Sequence, residues 1–287
     1  MNRSSAADAS RRERPLLRIA GSYALLVLFA AFALYPIVQI ITIALRPADQ
    51  LLSTSLNPIP KGATFANFRT LVTATPFLQW VANSAVVALA VTVTGVVLAS
   101  TAGYALSRFK FLGRSSVLNG LLVTQMFPAT MLLLPLYLIL IKLSLINSYL
   151  GVIIIYAATA LPFCIWQLKG YYDTIPLSLE EAASIDGASR WQSFYQVVLP
   201  LAQPAMVITA LFSFMTAWNE YVVAALILQD VEIFTLPLGL KMFQANMSTQ
   251  WGLYAAGALL VSVPVVLLFL MLSRYLVSGL SSGAVKG

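Results

Sequence analysis

Histidine is absent from this chain, cysteine occurs once, at Cys164, and only 9% of the 287 residues are charged. Each shortage closes a class of explanation. Without imidazole, and without Cys or carboxylate clusters at ligand spacing, the sequence offers no motif for a metal centre. A lone cysteine allows no intrachain disulfide. No G-x-x-x-x-G-K-[ST] run occurs, so a nucleotide-driven process would need another polypeptide to bind the nucleotide. Such sparse charge in a chain that is 60% hydrophobic excludes an ordinary soluble domain and indicates a polytopic membrane protein. The net charge of +7 raises the question of nucleic acid, but the basic residues are dispersed between apolar runs and form no groove.

Six apolar runs are present. Residues 1–18 are polar and carry five arginines, and the run that follows, 19–45, is too long for a signal-peptide core. It reads as a retained first span, kinked at Pro36. Between it and the second span lies a mixed loop in which Thr64, Phe65, Ala66, Asn67 and Phe68 predict the start of an external surface helix. The other spans are expected at 80–106, 117–141, 150–168, 201–228 and 253–277, each suited to a hydrocarbon layer of roughly 30 Å. The expected organisation is a cytoplasmic tail 1–18, an all-α six-helix domain 19–277 with a polar loop 171–200, and a second cytoplasmic tail 278–287.

Charge orients this arrangement. Placing both tails and the loops after spans two and four inside puts there Arg3, Arg11, Arg12, Arg14, Arg18, Arg108, Lys110, Arg114, Lys169, Arg190, Arg274 and Lys286. These are twelve of the seventeen basic residues, the bias expected of cytoplasmic loops.

One polar island, 178–200 (SLEEAASIDGASRWQSFYQVVLP), interrupts the apolar pattern. Ser178 with Glu181, and Ser189 with Gln192, have capping-box spacing. Gly187 suits the left-handed residue that ends a helix, and Pro200 allows no smooth continuation. The pattern predicts a helix, a sharp turn and a second helix. On the first, Leu179, Ala182 and Ala183 share a low apolar face rimmed by Glu180, Glu181 and Asp186. An amphipathic loop lying on the bilayer is one reading; the acidic rim favours a protein socket over an anionic lipid surface.

Within the spans, the second carries Asn83, Ser84, Thr92, Thr94, Gly95, Ser100, Thr101 and Gly103, groups that permit close helix packing or line a watery path. The third contains Gln125, Met126, Phe127 and Pro128, then Pro135, so its ladder is interrupted, as a pathway or gate would require and as packing also tolerates. Asn219 precedes Glu220, the one acid inside an apolar span. Such an acid is by default functional, but at nineteen residues past Leu201 it lies near the far interface, which suits packing or an external gate better than proton transfer.

Glu181-Ala182-Ala183, Asp186-Gly187, Val197 and Leu199-Pro200 resemble, in residue and spacing, the EAA loop of the membrane subunits of binding-protein-dependent ABC importers. Val197 stands where that family usually has Ile. The resemblance extends to the MalG-like permeases of carbohydrate importers through Thr124–Pro128, Trp166–Tyr172 and the ending Gly279–Gly287. It implies the type I importer permease fold and a sugar as cargo, first maltose or maltodextrin, then a related oligosaccharide such as trehalose. It also implies a larger MalF-like second permease, two MalK-like ATPase subunits that bind Mg-ATP in place of this chain, and an external sugar-binding protein. By resemblance, the island containing Ser178, Glu181, Ala182, Ala183, Asp186 and Gly187 docks on the ATPase, and the tail Gly283, Ala284, Val285, Lys286 and Gly287 enters the ATPase interface. The segment Asn246, Met247, Ser248, Thr249, Gln250 and Trp251 is the corresponding scoop loop, which enters the binding protein. A secondary transporter or channel working alone is the rival reading, but no convincing internal repeat supports it.

Overall fold

In hydrocarbon a chain has little but its own helical ladder with which to satisfy backbone N–H and C=O groups, and the apolar runs accordingly become helices. The computed structural model describes residues 4–47, 59–244 and 249–284, and no strand occurs among the described residues. In chain order the helices are α1 (Ser4–Leu45), α2 (Ala66–Ala74), α3 (Phe77–Arg108), α4 (Arg114–Met126), α5 (Ala129–Lys142) and α6 (Tyr149–Tyr172). They continue with α7 (Leu177–Ile185), α8 (Arg190–Ser193), α9 (Leu199–Leu201), α10 (Gln203–Asn219), α11 (Val222–Ile227), α12 (Leu236–Lys241) and α13 (Trp251–Ala284). Four are long and apolar enough to cross a membrane, in α1, α3, α6 and α13. Two bent pairs complete the set: Arg114–Met126 with Met131–Lys142, at 106°, and Arg190–Leu201 with Gln203–Asn219, at 79°. The six expected spans map onto these four helices and two bent pairs.

Proline explains the bends, though not always at the position the sequence suggests. Phe127, with φ −78° and ψ 129°, is extended as a residue before proline prefers to be, and α4 ends there. Pro135 stays inside α5, as do Pro162 in α6 and Pro264 in α13. Pro36 does not end α1. The turn expected at Pro200 falls instead at Ala202 (φ −88°, ψ 6°). A π-helical turn, Phe194–Val198, leads into α9, and Pro204 in the first turn of α10 supplies no N–H.

Two boundaries differ from expectation. α1 starts at Ser4, so helix extends into the polar stretch 1–18. At the other end α13 continues to Ala284 through Gly279 and Gly283, where an irregular tail was expected. A glycine costs a helix about 1 kcal/mol relative to alanine, too little to stop one already propagated through a long span.

α3 is the central member, packed on α6 and α10. Its small residues make that approach possible: a Cβ on Gly103 would lie 3.1 Å from Lys169 N, and one on Gly95 would lie 2.9 Å from Ser213 Oγ. Asn83, Ser84 and Ser100 are buried, and Thr92 and Thr94 return their hydroxyls to the carbonyls of Ala88 and Ala90. Close packing accounts for Gly95, Gly103, Asn83, Ser84 and Ser100, while Thr92, Thr94 and Thr101 are half-buried. Apolar clusters lie at both ends of α3. One gathers Trp80, Tyr156, Trp218 and Leu236; the other gathers Tyr104, Leu168, Tyr172, Phe194 and Val198. α2 lies across the end of α1, where Asn67 Nδ2 donates to Ala44 O at 2.9 Å and Arg46 O at 3.1 Å, and Leu71 is fully buried. Those bonds satisfy carbonyls that the end of α1 would otherwise leave open.

Candidate functional site

The polar island folds into α7, a tight turn and α8. Pro176 (φ −59°, ψ 132°) occupies the N-cap of α7, with no side-chain cap. The expected Ser178–Glu181 capping box is therefore not formed: Pro176 starts the helix early enough that Ser178 is already inside it. The second capping box is present, with Gln192 N donating to Ser189 Oγ at 3.3 Å and Ser189 N donating to Gln192 Oε1 at 2.7 Å. Between the helices Gly187 has φ +88°. Its N–H donates to Ser184 O at 3.1 Å, and Ala188 N–H reaches back to Ala183 O at 2.9 Å. These two bonds make a Schellman turn, which requires a left-handed residue at Gly187.

No residue of α7 is buried. Glu181, Ala182, Asp186 and Gly187 are exposed and Ala183 is half-buried. A second apolar pair, Leu177 at 57% and Ile185 at 87% exposed, lies on the other side of α7, where it lines the cleft toward α8 together with Glu181. A short helix with its apolar and acidic side chains open in this way is a surface shaped to be covered.

Glu180 does not share that surface, contrary to the expectation of an acidic rim that includes it. Its carboxylate turns inward, where Arg108 Nε donates to Oε1 at 2.6 Å and Tyr104 Oη donates to Oε2 at 2.7 Å. Arg108 Nη2 also donates to Ile175 O at 3.0 Å. Next to this clasp Ser107 Oγ donates to Asp173 Oδ1 at 2.6 Å, and Lys169 Nζ lies 2.6 Å from Asp173 Oδ2. Burial pushes the Asp173 carboxyl up, but the bonds from Lys169 and Ser107 outweigh it and hold the group below the usual carboxylate value. The link is thus intact at neutral pH and is lost only as pH falls through that lowered value. Arg190 lies over the Phe109 ring, 5.3 Å from its centroid. A cleft of about 370 Å³ separates α7 from α8, with Tyr104, Arg108, Glu180, Arg190 and Ser193 in its walls.

The opposite end of α3 holds a second constellation. Trp80 Nε1 donates to Val231 O at 2.9 Å, Asn83 Nδ2 donates to Glu232 O and Phe234 O, and Leu236 N donates to Ser84 Oγ at 2.7 Å. Glu220 ends α10, and its carboxylate accepts from the N–H groups of Val223 and Ala224, at 3.0 to 3.2 Å. It is thereby bound to the start of α11, as a carboxylate at a helix N-terminus should be. Asn219 is exposed and donates to Met215 O. Asn147, left-handed at φ 57°, accepts from Gln229 N and Asp230 N and clips the loop after α5 to the one after α11.

The break between α4 and α5 borders a cleft of about 430 Å³ lined by Thr124, Gln125, Phe127 and Pro162. Gln125 Nε2 donates to Thr159 O at 3.2 Å across it. Pro128 sits at the N-cap of α5. Of the 246–251 segment, Asn246, Met247 and Ser248 lie outside the described residues; Gln250 N–H donates to Phe243 O at 2.8 Å, Thr249 precedes it, and Trp251 opens α13. At the C-terminus Gly283 and Ala284 are helical, and Val285, Lys286 and Gly287 lie outside the described residues. Sequence reasoning missed Glu180, Arg108 and Tyr104 as a unit; the one signal available was a second acid directly before Glu181.

Comparison with known proteins agrees with this architecture. Residues 92–281 match the family described as the inner membrane component of binding-protein-dependent transport systems. The maltose/maltodextrin permease MalG of Yersinia pestis is 36% identical, over 94% of this chain and 94% of that protein. The galactooligosaccharide permease GanQ of Bacillus subtilis is 35% identical, over 97% and 99%. The diacetylchitobiose permease DasC of Streptomyces coelicolor is 35% identical, over 88% and 92%. Among solved structures, a bacterial ABC transporter that imports alginate superposes with a TM-score of 0.79 over 92% of this chain and 98% of that one, at 24% identity, a likeness of fold. With its multi-pass helical fold, its family match and its relatives in agreement, the chain belongs to the inner-membrane permease components of binding-protein-dependent ABC transport systems.

Proposed function

We propose that this chain is the MalG-like half of the transmembrane pathway of an oligosaccharide importer, driven by ATP hydrolysis in a separate subunit. The observation that carries the reading is α7: a helix with no buried residue, apolar and acidic on its open side and ion-paired to the bundle on its inner side. That is the form of a docking element for a soluble engine. The relatives carry maltose and maltodextrin, galactooligosaccharides and diacetylchitobiose in their names. All are short neutral or amido sugars, so the cargo class is a small oligosaccharide, with maltose or maltodextrin first.

In this reading both termini and α7 face the cytoplasm, as the charge bias requires. A MalF-like permease completes the pathway, two MalK-like subunits bind Mg-ATP, and a sugar-binding protein delivers cargo outside, with lipid around the remaining faces. Phe32 and the other exposed apolar residues of α1 suit lipid or the partner permease. Gln125, Phe127 and Pro128 at the broken third span, with Asn219 and Glu220 at the break in the fifth, act as the gate, since helix breaks at membrane depth are stable where protein or a cavity satisfies them. A lone secondary transporter would need a free ionisable group in the membrane, and Glu220 is already engaged by the α11 N–H groups.

Residues 246–251 enter the binding protein, and residues 283–287 enter between the ATPase subunits. Replacing Asn246–Gln250 with Gly/Ser is expected to lower sugar uptake while leaving the complex assembled; unchanged uptake would remove that role. Deleting Ala284–Gly287 is expected to reduce stimulated ATP hydrolysis without affecting membrane insertion. A full hydrolysis rate in the truncated complex would make the segment a plain helix end. The test of the whole reading is purification of the tagged chain and identification of what accompanies it: a second permease and an ATPase support the importer, and a chain that purifies alone contradicts it.

A further inference from the structure

α7 must do more than bind an ATPase; its displacement has to reach the spans. The structure supplies one polar route. Both carboxylate oxygens of Glu180 are engaged, one by Arg108 and one by Tyr104, and the Arg108 and Glu180 side chains are only 8% and 12% exposed. Arg108 and Tyr104 both belong to α3 and sit on its last turns. A desolvated ion pair is a poor source of net stability compared with apolar packing, and the best-attested reason for keeping one is geometric specificity. Here the geometry is specific in a useful direction. Glu180 fixes one side of α7, beside the cleft that Glu181 and Ile185 also line, while Leu179, Ala182 and Asp186 stay exposed on the other side, so rotation or withdrawal of the docked helix pulls on α3 directly.

α3 is well placed to carry that pull. At 32 residues it is about 48 Å long, and it packs on α6 and α10 along its length. At its far end Trp80, Asn83 and Ser84 hold the segment 231–236 through four hydrogen bonds. One rigid helix therefore ends on the docking element at one side and on the external cap at the other.

We infer that Glu180, Arg108 and Tyr104 form the strut through which movement of α7 reaches α3, a positioning role that sets how much ATP is hydrolysed per sugar imported. The inference rests on the importer reading. Its test uses the complete complex with its binding protein in vesicles, measuring ATP hydrolysed and sugar imported in the same sample. E180Q, which removes the charge and keeps the shape, is expected to raise the ATP-to-sugar ratio about tenfold, within the range usual for coupling between sites. The ATPase subunits should stay attached, and the concentration of binding protein giving half-maximal stimulation should not change. Should E180Q fail to assemble, Y104F leaves the ion pair in place and is expected to raise the ratio about threefold, a smaller loss of the same coupling. A merely structural role would lower hydrolysis and import together, and an unchanged ratio in both variants overturns the strut. A wild-type complex that shows no hydrolysis stimulated by sugar and binding protein would instead overturn the importer reading itself.

Discussion

Gly187→Val is expected to leave the chain inserted in the membrane and to cut sugar import by about tenfold or more, a loss of coupling at the large end of the usual range. Space is not the obstacle, because nothing lies within 4 Å of where a Cβ would be. The obstacle is the backbone, held at φ +88°. A left-handed conformation costs an L-residue roughly 1–2 kcal/mol, and a β-branched one more. If the turn relaxes to relieve that strain, the bonds from Gly187 N to Ser184 O and from Ala188 N to Ala183 O go with it. α7 then loses its fixed direction relative to α8, while the spans, stabilised elsewhere, persist. Gly187→Asn, which tolerates the left-handed region, is expected to keep most of the import. Charge reversal at Glu181 or Asp186, both exposed, is expected to weaken ATPase attachment instead, read by co-purification. Normal uptake with Val at 187, together with normal attachment in the reversed variants, would remove the docking assignment.

At the other end of the bundle Gly239→Val is expected to destabilise strongly the packing of α12 and of segment 231–236 on the start of α3. A Cβ on Gly239 would overlap atoms of the Trp80 ring. That ring has nowhere to move: it is 1% exposed, donates to Val231 O at 2.9 Å and packs against Phe243 with centroids 6.0 Å apart. Overpacking of this kind typically costs 1–3 kcal/mol, and leaving the Val231 carbonyl without its donor adds about 1–3 kcal/mol more. Together these amount to about 2–6 kcal/mol, a large part of the roughly 5–15 kcal/mol that holds an ordinary domain folded. The measurement is thermal unfolding in detergent, followed by tryptophan fluorescence. Gly120→Val, where a Cβ meets nothing within 4 Å, serves as the control. Equal melting temperatures for the two variants would contradict the packing described here.

The parts of the fold legible in the sequence are those set by local rules. Apolar run length located the spans, Pro128 located the break in the third, and the glycine at 187 and the Ser189–Gln192 pair located the turn of the polar island. Local rules also misled where two of them competed. Ser178 and Glu181 have the spacing of a capping box, but Pro176 starts the helix first; Pro200 is a breaker, but it falls in the first turn of α9, where its missing N–H is tolerated, and the chain bends at Ala202. What the sequence could not reveal are pairings across long separations. Glu180 and Glu181 are adjacent and chemically alike, and only Arg108, 72 residues upstream, decides which of them turns inward. Asn67 reads in sequence only as part of a surface helix, Asn83 only as a small polar group of the second span, and nothing marks Asn147, yet each satisfies backbone groups of a distant segment.

The central claim is that an ATPase acting through α7 drives a sugar across a pathway of which this chain is half. It is tested most directly in sealed vesicles holding the complete complex, with ATP enclosed on the α7 side and sugar with its binding protein on the other. The account predicts sugar accumulation that requires both the enclosed ATP and the binding protein, and that is lost in Gly187→Val. Equal accumulation without ATP, or by this chain in the absence of an ATPase subunit, would contradict it.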